Sequence, residues 1–284
     1  MPAFAQRIIA WQRVHGRHDL PWQGTRDPYR IWVSEVMLQQ TQVAAVVAYF
    51  HRFVDAFPDA RMLAAASEDA VLARWSGLGY YRRARHMHAA ARKVVERFGG
   101  AFPRDAATLA TLPGIGRSTA AAIAAFSSGE RGAILDGNVK RVLARHRGVV
   151  GDPSTAAVVN ALWEVAKRLV PREGVEAYTQ GMMDVGAAIC TPAKPRCGEC
   201  PVARDCVARR EERIAELPGR KARRAIPHRE VQLVLCERAG EVLLERRPET
   251  GVWGRLWSLP EIGIADDPVA SMRERYGIGA RLVA

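Results

Sequence analysis

Apolar residues recur at spacings of three and four from Phe4 to about Arg213, and the pattern breaks at Pro21, Pro28, Pro58, Gly77, Gly99, Pro103, Pro113, Pro153 and Pro171. That period is one face of an α-helix, and the breaks leave room for helices of roughly 8 to 20 residues. Nothing here alternates with the period of two that a half-buried strand needs. Residues 1–213 are therefore predicted to be all-α, two helical lobes with a cleft between them. Residues 218–229 change the pattern, carrying Arg220, Lys221, Arg223, Arg224 and Arg229 without an acid. Residues 214–229 read as a basic linker, either a solvated connector or a strap along a polyanion. Beyond it, 231–237 and 241–246 are short β-prone runs around Ala239-Gly240, which predicts a hairpin, and a further strand is expected to begin at 281–284. About 55 residues are too few to bury a sheet, so 230–284 is read as a truncated or incomplete α+β domain.

With 48% hydrophobic and 25% charged residues, the 284-residue chain is long enough for one large or two modest cores and is not a disordered segment. The longest apolar runs, 43–50 and 120–126, fall far short of the ~20 residues of a membrane span, and Arg7 and Gln12 interrupt any signal-like stretch. A cytoplasmic monomer without a membrane partner is expected. The net charge of +12 favours a polyanionic partner, because neutralised phosphates release counterions. Only 5 of the 42 basic residues are Lys, however, an Arg bias that coding-DNA composition also produces, so position has to decide.

Four of the five cysteines, Cys190, Cys197, Cys200 and Cys206, fall in one short window with the spacing C-x6-C-x2-C-x5-C. Clustered thiols argue for a metal or cluster site in a reducing compartment rather than a disulfide framework. A single C-x2-C pair suits a [4Fe–4S] cluster better than the paired knuckles of structural zinc.

Four other segments carry candidate chemistry. Leu112-Pro113-Gly114-Ile115-Gly116-Arg117-Ser118-Thr119-Ala120 lies between a helical stretch at 106–111 and an Ala-rich one reaching about Phe126. Its glycines allow a tight turn, and the next helix offers free N–H groups to an anion, the arrangement of a helix-hairpin-helix that grips a DNA phosphate. Asp136, in DGNVKR, stands where a helix starts. It can be a simple N-cap, or an anion that the helix end keeps charged at neutral pH. Glu35 lies in a helix predicted over 34–42 among Trp32, Val33, Val36, Met37 and Leu38. It is either a surface acid or one that desolvation keeps protonated. Two carboxyls with separated pKa values suit glycosidic cleavage: an acid for the leaving base and an anion for the developing sugar cation. In GLGYYRRAR, Tyr80 on a Gly turn can wedge into a duplex while flanking Arg side chains hold phosphates; a buried Tyr pair is the plainer reading.

Taken in order, Leu20-Pro21-Trp22, SEVMLQQTQV from Ser34, GLGYYRRAR from Gly77, LPGIGRSTA from Leu112, ILDGNVKRVLAR from Ile134 and the four cysteines resemble the helix-hairpin-helix family of base-excision glycosylases, and its MutY-type adenine glycosylase branch in particular. The resemblance implies a mainly α, two-lobed glycosylase domain over 1–213, with the hairpin at about 106–127 and an iron-sulfur loop at 190–206, followed by a partial Nudix-like lesion-recognition domain. It implies a monofunctional enzyme that removes adenine opposite 8-oxoguanine or guanine in double-stranded DNA, with Glu35 as acid and base, Asp136 opposing the sugar charge and Asn138 assisting it. Gln40 and Tyr80 would enter the duplex, Gly114, Gly116, Ser118 and Lys140 would contact DNA, and the four cysteines would hold a [4Fe–4S] cluster. The related endonuclease III pattern carries a Lys nucleophile where this chain has Ser118 and lacks a Glu at the place of Glu35, so a lyase is the lesser alternative. A non-catalytic DNA-binding module is the other.

Overall fold

Side-chain caps start many of the helices, as short acceptor residues do when they satisfy the free N–H groups of a first turn. Asp27, Asp59, Ser67, Asp105 and Asp136 each accept from a backbone N–H two or three residues on. The computed structural model describes residues 3–219 and 228–283, which divide into two compact units, Met1–Ala222 and Arg223–Ala284.

The first unit runs through α1 (Phe4–His15), α2 (Pro28–Met37), α3 (Val43–Ala56), α4 (Ala60–Ala65), α5 (Glu68–Trp75), α6 (Arg82–Phe98), α7 (Ala106–Leu109), α8 (Arg117–Ser128), α9 (Gly137–Arg147), α10 (Ala156–Leu169), α11 (Val175–Asp184) and α12 (Val207–Arg210). A π-helical turn, Val185–Ile189, extends α11 toward Cys190. The predicted all-α character holds. One buried cluster joins α1, α8, α9, α10 and α11 through Ile8, Ala122, Leu143, Leu162 and Met182. A second group of fully buried aromatics, Trp32, Phe50, Phe53 and Trp75, fills the space among α2, α3 and α5, with Phe53 and Trp75 edge to face at 5.9 Å.

Two sequence expectations are corrected here. The helix predicted over 34–42 ends at Met37, and Gln39 and Gln40 lie in a turn, Gln40 at φ 59°. The start of the predicted linker packs on the first unit: Leu217 is buried, and its carbonyl accepts from Arg145 Nε at 2.8 Å. The remainder of the linker, 220–227, lies outside the described residues.

In the second unit β1 (Gln232–Leu233), β2 (Glu237–Arg238), β3 (Glu241–Val242), β4 (Glu245–Arg246), β5 (Trp257–Ser258) and β6 (Glu261–Ile262) precede α13 (Pro268–Tyr276). All three pairings are antiparallel: β1 with β6, β2 with β3, β4 with β5. The expected hairpin is β2–β3, register Glu237↔Val242 and Arg238↔Glu241, and both turn residues have positive φ, Ala239 at 53° and Gly240 at 83°, as a two-residue hairpin turn requires. It is shorter than predicted, because 231–237 splits between β1 and β2. No strand forms over 281–283, where one was expected to begin. Leu235, Trp253 and Trp257 stay exposed in this unit, as a sheet of so few residues would leave them.

Candidate active site

The packing of α2 on α8 brings Glu35 to an open cleft, lined also by Gln12, His18, Trp22, Phe126 and Gln180. Burial, and secondly the charge of Asp136, push the Glu35 carboxyl up to about 8. Two acids a hundred residues apart in sequence are thus close enough for the charge of one to bear on the titration of the other, although Asp136 itself does not line this cleft.

Asp136 is the N-cap of α9, its Oδ1 accepting from Val139 N at 2.8 Å, so the capping and functional readings of this residue are compatible. Its own pKa is corrected in direction: burial raises it above the ordinary carboxylate value, although the N–H groups of Val139 and Asn138 and the Arg141 cation pull the other way. Desolvation outweighs the helix end. Leu135, next to Asp136, donates its N–H to Ser118 Oγ at 2.8 Å, so the hydroxyl predicted to meet DNA also ties the hairpin helix to the Asp136 segment. Asn138 Oδ1 accepts from Arg141 Nη2 at 2.9 Å, and the same guanidinium donates to the carbonyls of Gly186 and Cys190, both at 2.7 Å. Gly186 is a close approach: a Cβ there would stand 2.7 Å from Asn138 Cβ.

Gln40 and Tyr80 are both exposed and both left-handed, at φ 59° and 48°, a conformation that residues other than Gly rarely hold. Arg83, predicted only as a flanking phosphate contact, is instead committed to backbone carbonyls around both loops. Neither periodicity nor a motif distinguished it from Arg82 and Arg85. Lys140 donates to the Pro153 carbonyl at 3.2 Å. In the hairpin, Gly114 has φ 76° and a Cβ there would meet His86 Cβ at 2.7 Å, whereas Gly116 has φ −81° and open space where a Cβ would go. Only the first glycine serves the fold; the second leaves the N-terminus of α8 uncovered.

Cys190, Cys197, Cys200 and Cys206 all line one small pocket, together with Arg145, His146 and Ile189. None is in a disulfide, and burial raises the thiols of Cys200, to about 11, and Cys206. Among the described residues no three His, Cys, Asp or Glu side chains converge as a single ion would require. Arg145, itself buried, donates to Cys190 Sγ and to the carbonyls of Thr191 and Pro192, and an Arg7–Asp205 ion pair at 2.7 Å ties α1 to the same loop. Among the described residues no helix is long and apolar enough to cross a membrane.

Residues 33–168 match the family described as HhH-GPD superfamily base excision DNA repair protein. The adenine DNA glycosylase of Buchnera aphidicola subsp. Acyrthosiphon pisum is 35% identical over 272 residues, covering 96% of this chain and 78% of that one. The human adenine DNA glycosylase is 38% identical over 92% of this chain and 57% of its own length. Among solved structures, a thermostable thymine-DNA glycosylase superposes with a TM-score of 0.66 at 30% identity, covering 73% of this chain and 95% of that one. A non-covalent endonuclease III–DNA complex shares the fold, with a TM-score of 0.61 at 20% identity over 73% of this chain and 94% of that one. With a mainly helical fold, the hairpin and a buried acid on the cleft in place, this chain belongs to the adenine DNA glycosylase family, within the helix-hairpin-helix superfamily of base excision DNA repair proteins.

Proposed function

We propose that this chain draws adenine out of a DNA mispair with 8-oxoguanine or guanine and hydrolyses its N-glycosidic bond without cutting the strand. The observation that carries the reading is Glu35, held protonated to about pH 8 by burial and by the charge of Asp136 nearby, on the lining of an open cleft. A purine leaves poorly as an anion. Glu35 gives its proton to a ring nitrogen as the C1′–N bond breaks, and the electron pair of that bond goes to the base. The sugar then carries positive charge, which Asp136 opposes, with Asn138 assisting beside it. Water adds to C1′, and Glu35, now a carboxylate, takes its proton. The exposed start of α8 at Gly116, the Gln40 and Tyr80 loops and the net positive charge support DNA as the polymer that carries the base.

Cys190, Cys197, Cys200 and Cys206 would hold a [4Fe–4S] cluster, since four unbridged thiols facing one cavity suit a polynuclear group better than one zinc ion. When bound, such a cluster cross-links the loop that Arg145 and Arg7 anchor. We assign lesion recognition to the second unit as a Nudix-like domain, following the motif resemblance. A lyase would need an amine at the hairpin, where Ser118 stands; Lys140, the nearest candidate in sequence, is engaged with Pro153.

The test is a single-turnover assay on duplexes with adenine opposite 8-oxoguanine or guanine and with thymine opposite guanine, each with and without alkali. Adenine release with strand cleavage only after alkali is expected. Asp136→Asn should keep duplex binding and slow release by roughly 10²-fold or more. Release of thymine instead, cleavage without alkali, or undiminished release by Asp136→Asn would reject the assignment.

A further inference from the structure

A helix that ends without a glycine leaves several carbonyls unpaired and a partial negative charge behind them. At the end of α2, the helix of Glu35, a residue from α6 supplies the missing donors. Arg83 Nη1 donates to the carbonyls of Val36 at 3.0 Å, Met37 at 2.8 Å and Gln39 at 2.6 Å. Its Nη2 donates to Thr41 Oγ1 at 3.1 Å and to the carbonyls of Leu78 and Gly79, both at 3.2 Å. The guanidinium also lies 5.2 Å from the Trp75 ring centre and 5.5 Å from that of Tyr80. Several of these partners adjoin residues of the proposed chemistry: Val36 follows Glu35, Gln39 precedes Gln40, Thr41 follows it and Gly79 precedes Tyr80.

We infer that Arg83 is a positioning residue whose single guanidinium locks the end of the Glu35 helix, the Gln40 turn and the Tyr80 turn into one rigid part, so that opening the duplex and placing the acid are mechanically linked. This rests on the reading of the cleft as a base-excision site. Non-glycine residues with left-handed backbone, one in each turn, persist only when their surroundings over-determine them, and Arg83 is the group common to both turns. Lysine cannot replace it, because a point charge with three donors lacks the rigid fork that reaches acceptors on both turns at once. Burial lowers the Arg83 pKa, consistent with a cation withdrawn from water rather than one reaching for phosphate.

The experiment compares wild type with Arg83→Lys and with Thr41→Val, which removes one acceptor and leaves the cation. Single-turnover release is measured for adenine in a mispair and for adenine opposite an abasic site, where little stacking or pairing remains to be broken. Expected for Arg83→Lys is a fall of roughly tenfold or more on the mispair, several-fold less on the abasic duplex, with duplex affinity within about threefold and a weaker rise of 2-aminopurine fluorescence on binding. Thr41→Val should show the same contrast at about two- to fivefold, which keeps the inference testable should Arg83→Lys fail to fold. Equal losses on both duplexes, or none, would overturn it. Absence of adenine release by the wild type would instead remove the underlying reading.

Discussion

Glu35→Gln separates the two consequences of a buried acid. In the folded protein Glu35 keeps its proton to about pH 8, whereas in the unfolded chain it loses it near the ordinary value of 4.5. Between these two values the native state holds more protons than the unfolded state, so this residue makes wild-type stability fall as pH rises, and the penalty is complete above about pH 8. The separation of about 3.5 in pH, at ~1.36 kcal/mol for each unit, sets a ceiling of about 5 kcal/mol. Glu35 keeps part of its surface open to the cleft, so the difference observed should fall below that ceiling. Glutamine has nearly the same shape and does not titrate. Urea unfolding of both proteins at intervals from pH 5 to pH 9 should show Glu35→Gln gaining on wild type as pH rises and levelling off above about pH 8, while its adenine release is lost. Wild-type release should itself decline as pH rises through about 8, as the acid is deprotonated. A stability difference that does not change with pH, or a wild type more stable than the variant at pH 9, would refute the reasoning.

The two hairpin glycines should behave differently. Gly114→Ala forces a side chain into left-handed backbone and against His86, costing about 1–3 kcal/mol in thermal or urea unfolding. Gly116→Ala should leave stability within about 0.5 kcal/mol while weakening duplex binding, as read by fluorescence anisotropy, because its methyl group projects beside the free N–H groups of α8. Equal effects on stability would contradict that division. Anaerobic protein should contain iron and acid-labile sulfide in equal amounts, and Cys200→Ser should lose both; stoichiometric zinc in the wild type would exclude the cluster.

Much of this architecture is legible from local chemistry. Helix starts follow from Asp and Ser at cap positions, the Ala239-Gly240 turn from two residues that sit at positive φ, and the Cys window from spacing alone. Asp136 could be placed at a helix start because its best partners, the N–H groups of the next turn, lie three residues away or fewer. The misread parts depend on partners distant in the chain. The predicted 34–42 helix stops at Met37, where carbonyls that would have continued it turn to Arg83, 46 residues further on.

The amino-acid order alone settled which groups were available: an acid in an apolar helix, another at a helix start, a two-glycine hairpin and four clustered thiols. Tertiary structure decided what state those groups are in and which of them meet. It set Glu35 in the field of Asp136, let desolvation override the helix end at Asp136, and turned one arginine among several into the clasp of two loops. The physical reason is range. Caps, turns and periodicity act over a few residues and are written locally, whereas desolvation and charge repulsion depend on everything that packs nearby, from any part of the chain.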